Sequence, residues 1–144
     1  MFKNILIATD GSDLAEKEVQ LGLSLAKEMR ATATVVRVTP VPRVFVAEGV
    51  AMPPPPEVHA QIVREVNEQF ARIKTAAGAA GVTSDTVHVD DDLPWKAILD
   101  TAEKKDCDLI VMASHGRSGF SAAFLGSETQ KVLSKSTVPV LVCR

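Results

Sequence analysis

Ile5-Leu6-Ile7-Ala8 runs straight into Thr9-Asp10-Gly11-Ser12. Four consecutive apolar residues leave no polar face for solvent, so they suit a strand covered on both sides. The Thr, Asp, Gly and Ser that follow end the strand and can start a helix. The same grammar returns at Leu109-Ile110-Val111-Met112, followed by Ala113-Ser114-His115-Gly116. Outward from these two stretches, short apolar runs alternate with segments of helical period, the pattern of repeated βα units around a parallel sheet.

Five strands are predicted, over residues 3–9, 32–39, 83–89, 108–114 and 138–143. Residues 14–30 carry Ala15, Val19, Gly22, Ala26 and Met29 at three- and four-residue steps, with Glu and Lys on the other side, as an amphipathic helix does. Val58, Ile62, Val66, Phe70, Ile73 and Ala77 form a second stripe, which Gly78 or Gly81 can end. Pro94 opens a third helix with Trp95, Ile98, Leu99 and Ala102 inward. A fourth begins near Ser127, where Ser127 and Gln130 match an S-x-x-Q capping box. Long helical crossovers between strands imply parallel pairing. The expected fold is α/β: one three-layer domain over residues 1–144, with an open five-stranded parallel sheet flanked by four helices, Rossmann-like.

A chain of 144 residues with 46% hydrophobic content can bury one proper core. Sixteen Lys and Arg against eighteen Asp and Glu give a net charge of −2 and no basic stripe, so nucleic acid is not an expected partner. Cys107 and Cys143 lie in apolar surroundings without CxxC spacing, and His59, His88 and His115 are far apart in the chain. Buried, unreactive thiols in a reducing compartment are expected rather than a redox pair or a zinc site. The first apolar run is too short for a signal peptide, and no run approaches the roughly 20 residues of a membrane-spanning helix. A cytoplasmic, soluble protein without membrane insertion is the expectation.

Residues 40–56 interrupt the βα rhythm with Pro53-Pro54-Pro55-Pro56 and the apolar Val44, Phe45, Val46, Val50 and Met52. Fixed proline φ angles favour an extended, polyproline-like course. The segment reads either as a partner-docking loop or as a surface connection whose apolar residues fold back on the domain or a dimer partner; the second reading is preferred.

Open α/β sheets bind ligands beyond the carboxyl ends of their strands, where the strand order reverses. If the first and fourth strands are neighbours, the turns at 9–12 and 113–119 face each other there. Gly116 and Gly119 lack a Cβ and can offer main-chain N–H groups to an anion. Gly126-Ser127 adds a helix N-terminus with unpaired N–H groups and a hydroxyl. Phosphate is the ligand such a turn suits, although glycine also marks ordinary strand-to-helix connections.

Several segments together resemble the universal stress protein family from end to end: Ala8-Thr9-Asp10-Gly11-Ser12, Pro94-x-x-x-Ile98, the run from Asp108 through Met112 to Arg117, Leu125-Gly126-Ser127 and Val138-Pro139-Val140-Leu141-Val142. The nucleotide-binding branch of that family carries G-x-x-G, nine residues, then G-[ST]. Here Gly116, the nine residues from Arg117 to Leu125, and Gly126-Ser127 meet the second spacing, while Ala113 stands at the motif's first glycine and adds one methyl. The resemblance implies an adenine nucleotide alpha-hydrolase-like fold and ATP, or AMP or ADP, as ligand. It implies adenine held by backbone near Val38, with Ala8 and Met112 lining the pocket and Asp10 at the nucleotide, directly or through a divalent ion such as Mg or Mn. Ala113, Gly116, Arg117, Gly119, Gly126, Ser127, Glu128 and Thr129 would surround the ribose and phosphates.

Plainer readings stand beside these. Asp10 equally suits an Asx turn, and Arg117 a solvated charge. Glu128 would repel phosphates unless it points outward as a first-turn acid, the orientation expected here. His115 has no acid–base partner at a recognisable spacing and is read as a turn residue, and Asp90-Asp91-Asp92 as a solvated turn rather than a calcium loop.

Pro139 cannot donate to a ladder, so the last strand should be an edge, and an apolar edge invites aggregation unless covered. The resemblance implies that the cover is the same strand of a second subunit, a homodimer through Val138, Val140, Leu141 and Val142. The expected function is a dimeric, nucleotide-binding regulatory or stress-response module with at most slow ATP hydrolysis and no catalytic residue. The alternative is a dimer of the same family that holds no nucleotide and acts through protein contacts. An ATP-using enzyme is disfavoured by the missing P-loop lysine, and a flavin carrier by the lack of tyrosine.

Overall fold

The computed structural model describes residues 1–115 and 124–144. In chain order these form β1 (Asn4–Thr9), α1 (Asp13–Met29), β2 (Thr32–Thr39), β3 (Phe45–Ala47), β4 (Val50–Met52), α2 (Pro56–Ala80), β5 (Ser84–Asp90), α3 (Pro94–Lys104), β6 (Leu109–Ala113), α4 (Ser127–Lys135) and β7 (Val140–Cys143). Five strands make one parallel sheet in the order β5-β2-β1-β6-β7. The chain lays β2 and β5 to one side of β1, then α3 carries it across to β6 and β7 on the other.

The doubly apolar runs occupy the middle of this sheet, as their composition demands. Ile5, Ile7, Val35 and Val111 pack against α1 and α2 through Val19, Leu23, Val66 and Phe70. Leu6, Val36, Ile110 and Met112 face α3 and α4 through Ile98, Ala102 and Val132. Each such side chain contributes about 1.5–3 kcal/mol by leaving water. Helix α1 lies so close to β1 that a Cβ on Gly22 would stand 2.6 Å from Ile7 Cδ1. Gly81 ends α2 with φ 74°, its N–H returning to the Ala77 and Gly78 carbonyls, and Pro94 opens α3.

Strand β7 lies at a sheet edge. Pro139 just precedes it, and its carbonyl accepts the Ile110 N–H at 3.0 Å, so the ring's missing donor breaks no ladder.

Three expectations are corrected. Residues 45–52 do not follow a polyproline-like course but form an antiparallel hairpin pairing Phe45 with Met52. Glu48 and Gly49 both have positive φ, 51° and 79°, the geometry of a two-residue type I′ turn whose twist matches the strands it joins. Its apolar residues do not fold back on the chain: Val46 is 69% exposed and Val50 61%. Second, α4 begins one residue before the capping box requires, with Gly126 as N-cap, Ser127 already helical and no side-chain cap. Gln130 Nε2 instead donates to the Leu125 carbonyl at 2.8 Å. Third, Glu18 does not join the solvent side of α1 but is 2% exposed, within the stripe that packs on the sheet. Among the described residues no helix is long and apolar enough to cross a membrane.

Candidate functional site

The strand order reverses between β1 and β6, which pair Ile5 with Leu109, Leu6 with Ile110 and Ile7 with Val111. A crevice is expected above their carboxyl ends. Ala8 and Met112 are buried and Val38 is half-buried; all three end neighbouring strands on the α3/α4 face, so the fold brings them together as an apolar ledge.

On the β1 side of the crevice, Asp10 Oδ1 accepts the Ser12 N–H at 2.9 Å, which is the Asx turn. Ser12 Oγ then accepts the Ala15 N–H at 3.2 Å and caps α1. On the β6 side, Ala113 closes the strand in an extended conformation, so its methyl meets no demand for positive φ. The Ser114 N–H donates to the Cys143 carbonyl and the Ser114 carbonyl accepts the Gly126 N–H, both at 2.7 Å. Thr129, 3% exposed, donates its hydroxyl to the Ala113 carbonyl at 2.8 Å. These bonds staple the start of α4 to the end of β6.

Two expectations about this side change. The Gly126 amide, expected unpaired, is taken by Ser114, which leaves the first-turn amides of Ser127, Glu128 and Thr129 as those without an intrahelical acceptor. Glu128 is not a plain outward acid: Oε2 accepts the Trp95 N–H at 2.8 Å and Oε1 accepts from Lys131 Nζ at 3.1 Å. Its carboxylate therefore caps α3, whose N-cap residue Leu93 has no side-chain acceptor of its own. Gly116, Arg117 and Gly119 lie outside the described residues. His115 Nδ1 meets Ser114 Oγ at 2.9 Å, while its buried Nε2 has no hydrogen-bond partner among the described residues.

Sequence reasoning missed the polar groups beneath the β1–α1 turn. Arg37 and Gln69, 6% and 8% exposed, are joined by an Nη1–Oε1 bond of 2.8 Å, and Gln69 Nε2 donates to Thr9 Oγ1 at 3.1 Å. One signal was available: an arginine inside the apolar run Val35-Val36-Arg37-Val38. Glu18 was hidden because stripe positions are read for apolar residues. Both its carboxyl oxygens lack a hydrogen-bond partner among the described residues. Burial first, and the nearby Asp10 carboxylate second, push its pKa up to about 8. Burial likewise raises the Cys107 and Cys143 thiols, the Glu18 charge adding to the effect at Cys143, which disfavours the thiolate.

The fold also draws two distant histidines together. His59 and His88 approach the two oxygens of Asp90 at 3.7 and 3.4 Å, and Thr39 donates to the same carboxylate at 2.7 Å. Among the described residues, no group of three or more His, Cys, Asp or Glu side chains could hold a metal ion.

The β7 edge beside the crevice keeps Leu141 exposed, with Val138, Val140 and Val142 half-buried.

The pattern of the universal stress protein family matches residues 1–144. Universal stress protein YxiE of Bacillus subtilis is 32% identical, with all of both chains covered. The solved structure of MJ0577, a Methanocaldococcus jannaschii protein, superposes with a TM-score of 0.80 at 25% identity, covering 99% of this chain and 95% of that one. A universal stress protein of Archaeoglobus fulgidus, solved in complex with dAMP, shares the fold with a TM-score of 0.70 at 20% identity, covering 99% of this chain and 98% of the other. Matched along its whole length by the family pattern and by a relative 32% identical to it, the chain belongs to the universal stress protein family.

Proposed function

We propose that this protein binds an adenine nucleotide, ATP or its mono- and diphosphate relatives, in the crevice between β1 and β6 and acts as a regulatory module with at most slow hydrolysis. The observation that carries the reading is the convergence of three elements at one point of strand reversal. Ala8, Val38 and Met112 offer an apolar ledge to the base, the β1–α1 turn offers Asp10, and the α4 N-terminus offers main-chain amides and the Ser127 hydroxyl to phosphate. The dAMP complex of the A. fulgidus relative is consistent with this ligand class. Glu128 supports it too, because its carboxylate is bound to α3 and to Lys131 rather than left unpaired beside an anion. A divalent ion such as Mg or Mn would need the nucleotide's phosphates as ligands beside Asp10, since the described residues offer no protein-only site.

Identification of any nucleotide released from the denatured protein, followed by calorimetric titration with ATP and AMP, tests the proposal. Gly126→Val should remove binding while unfolding stays cooperative, because a branched side chain enters the space a phosphate needs; unchanged affinity would overturn the phosphate assignment. One observation favours the alternative of a nucleotide-free module acting through protein contacts: the Gly126 amide and the Thr129 hydroxyl are already bonded within the chain. An empty extract and no heat on titration would support it. In either reading the β7 edge, with Leu141 exposed, is the surface proposed for a homodimer. A solution mass near the 15.4 kDa of one chain would refute that assembly.

A further inference from the structure

The β1–α1 turn rests on a buried cation. Arg37 stands beside Thr9 in the β1–β2 ladder, and strand alternation sends its side chain, with that of Val35, to the α1/α2 face. Nη1 donates to Gln69 Oε1 at 2.8 Å, and Gln69 Nε2 donates to Thr9 Oγ1 at 3.1 Å. Thr9 Oγ1 in turn accepts the Gly11 N–H at 3.2 Å. Gly11 has φ +80°, and a Cβ built on it would lie 2.8 Å from Arg37 Cζ and Nη1 and 3.0 Å from Nη2. Three guanidinium atoms at nearly one distance from one point mean that the plane of the group lies under the glycine. The turn is therefore held twice, by a hydrogen-bonded chain from α2 and by direct contact with a flat, permanently charged group.

Packing alone does not call for this arrangement. A buried charge costs desolvation energy, and an apolar side chain of similar volume would fill the space beneath the turn at least as well. What arginine adds is a rigid plane with donors in fixed directions. We infer that Arg37 is a positioning residue of the nucleotide site: through Gln69, Thr9 and Gly11 it sets the height of the β1–α1 turn and with it the direction in which Asp10 meets the crevice. The functional half rests on the nucleotide reading above; the control of the turn does not. Because the phosphates are assigned to α4 on the far side, the effect falls on the nucleoside end when no divalent ion bridges Asp10 to the phosphates, and in metal-free buffer, where the titrations are made, AMP and ATP should respond alike.

The test compares the full chain with Arg37→Met, Arg37→Lys and Gln69→Met, reading thermal unfolding, calorimetric affinity for AMP and for ATP, and amide hydrogen exchange at Gly11 and Ser12. Arg37→Met and Gln69→Met should each weaken both nucleotides about tenfold, the size of roughly 1.4 kcal/mol of lost orientation. Both should also speed exchange at Gly11 while amides of β1 and β6 stay protected. Arg37→Lys keeps the charge but not the plane and should fail to rescue. Wild-type affinity in Arg37→Lys, a loss confined to ATP, or unchanged Gly11 exchange would overturn the inference. If Arg37→Met does not fold, Gln69→Met decides by the same measurements. If the wild-type chain binds no nucleotide, that reading falls, and the exchange data alone decide whether Arg37 governs the turn.

Discussion

At the carboxyl ends of β1, β2 and β6 the two faces of the sheet carry opposite chemistry. The α3/α4 face presents Ala8, Val38 and Met112, with no ionisable group among them. At the adjoining positions of β1 and β2, the α1/α2 face buries Thr9 and Arg37, joined by Gln69 from α2, and Glu18 is buried on α1. The difference follows from strand alternation, which sends neighbours in sequence to opposite sides. It separates the ledge that can receive a flat, apolar base from the polar machinery that holds the adjoining turn.

Substitutions on either face separate the two chemistries. The largest effect is expected from Met112→Ala on the apolar side, where removal of a 6%-exposed side chain should cost about 2–5 kcal/mol in urea unfolding and weaken nucleotide binding with it. A loss well under that range would mean that the ledge is loosely packed and already admits water, as a polar face would.

On the polar side, Glu18→Gln tests the buried acid. Folded Glu18 keeps its proton up to about pH 8, whereas the unfolded side chain releases it near pH 4.5. Between those values the folded state binds the extra proton, so this group makes stability fall as pH rises, by about 1.4 kcal/mol per unit. Its contribution is fully present below pH 4.5 and lost by the time the folded group has ionised. Glu18→Gln should flatten the slope and stabilise the protein progressively toward pH 8, read as urea midpoints across pH. An unchanged slope would mean that the carboxyl ionises normally and that the α1 side is wetter than its burial indicates.

The smallest effect concerns the acid that the apolar side does carry near the crevice. Glu128→Ala removes the acceptor for the Trp95 N–H and the charge at the α3 N-terminus, at a cost of about 1 kcal/mol. Nucleotide affinity should change little, because the carboxylate is engaged with α3. A marked gain in ATP affinity would show instead that Glu128 repels phosphate.

The sheet strands and flanking helices were legible because periodicity is a local property: a run such as Leu109-Ile110-Val111-Met112 has few stable environments other than a doubly covered strand. The hairpin was not legible, since Glu48-Gly49 is a weaker turn signal than Asn-Gly or Asp-Gly and four prolines follow closely. The capping box misled by one residue, because what starts α4 is the bond from the Gly126 N–H to the Ser114 carbonyl rather than the local S-x-x-Q pattern.

Local pattern along the chain was enough for the α/β class, the inner strands β1 and β6, the edge strand β7 and the family resemblance. Only tertiary structure decided that Gly126 gives its amide to Ser114, that Glu128 caps α3, and that Arg37, Gln69 and Thr9 meet under Gly11. The physical reason is that strands and helices follow from the preferences of neighbours along the chain. A hydrogen bond between residues thirty-two apart, such as Arg37 to Gln69, exists only once packing has paid its entropy and excluded the water that would otherwise compete for both partners.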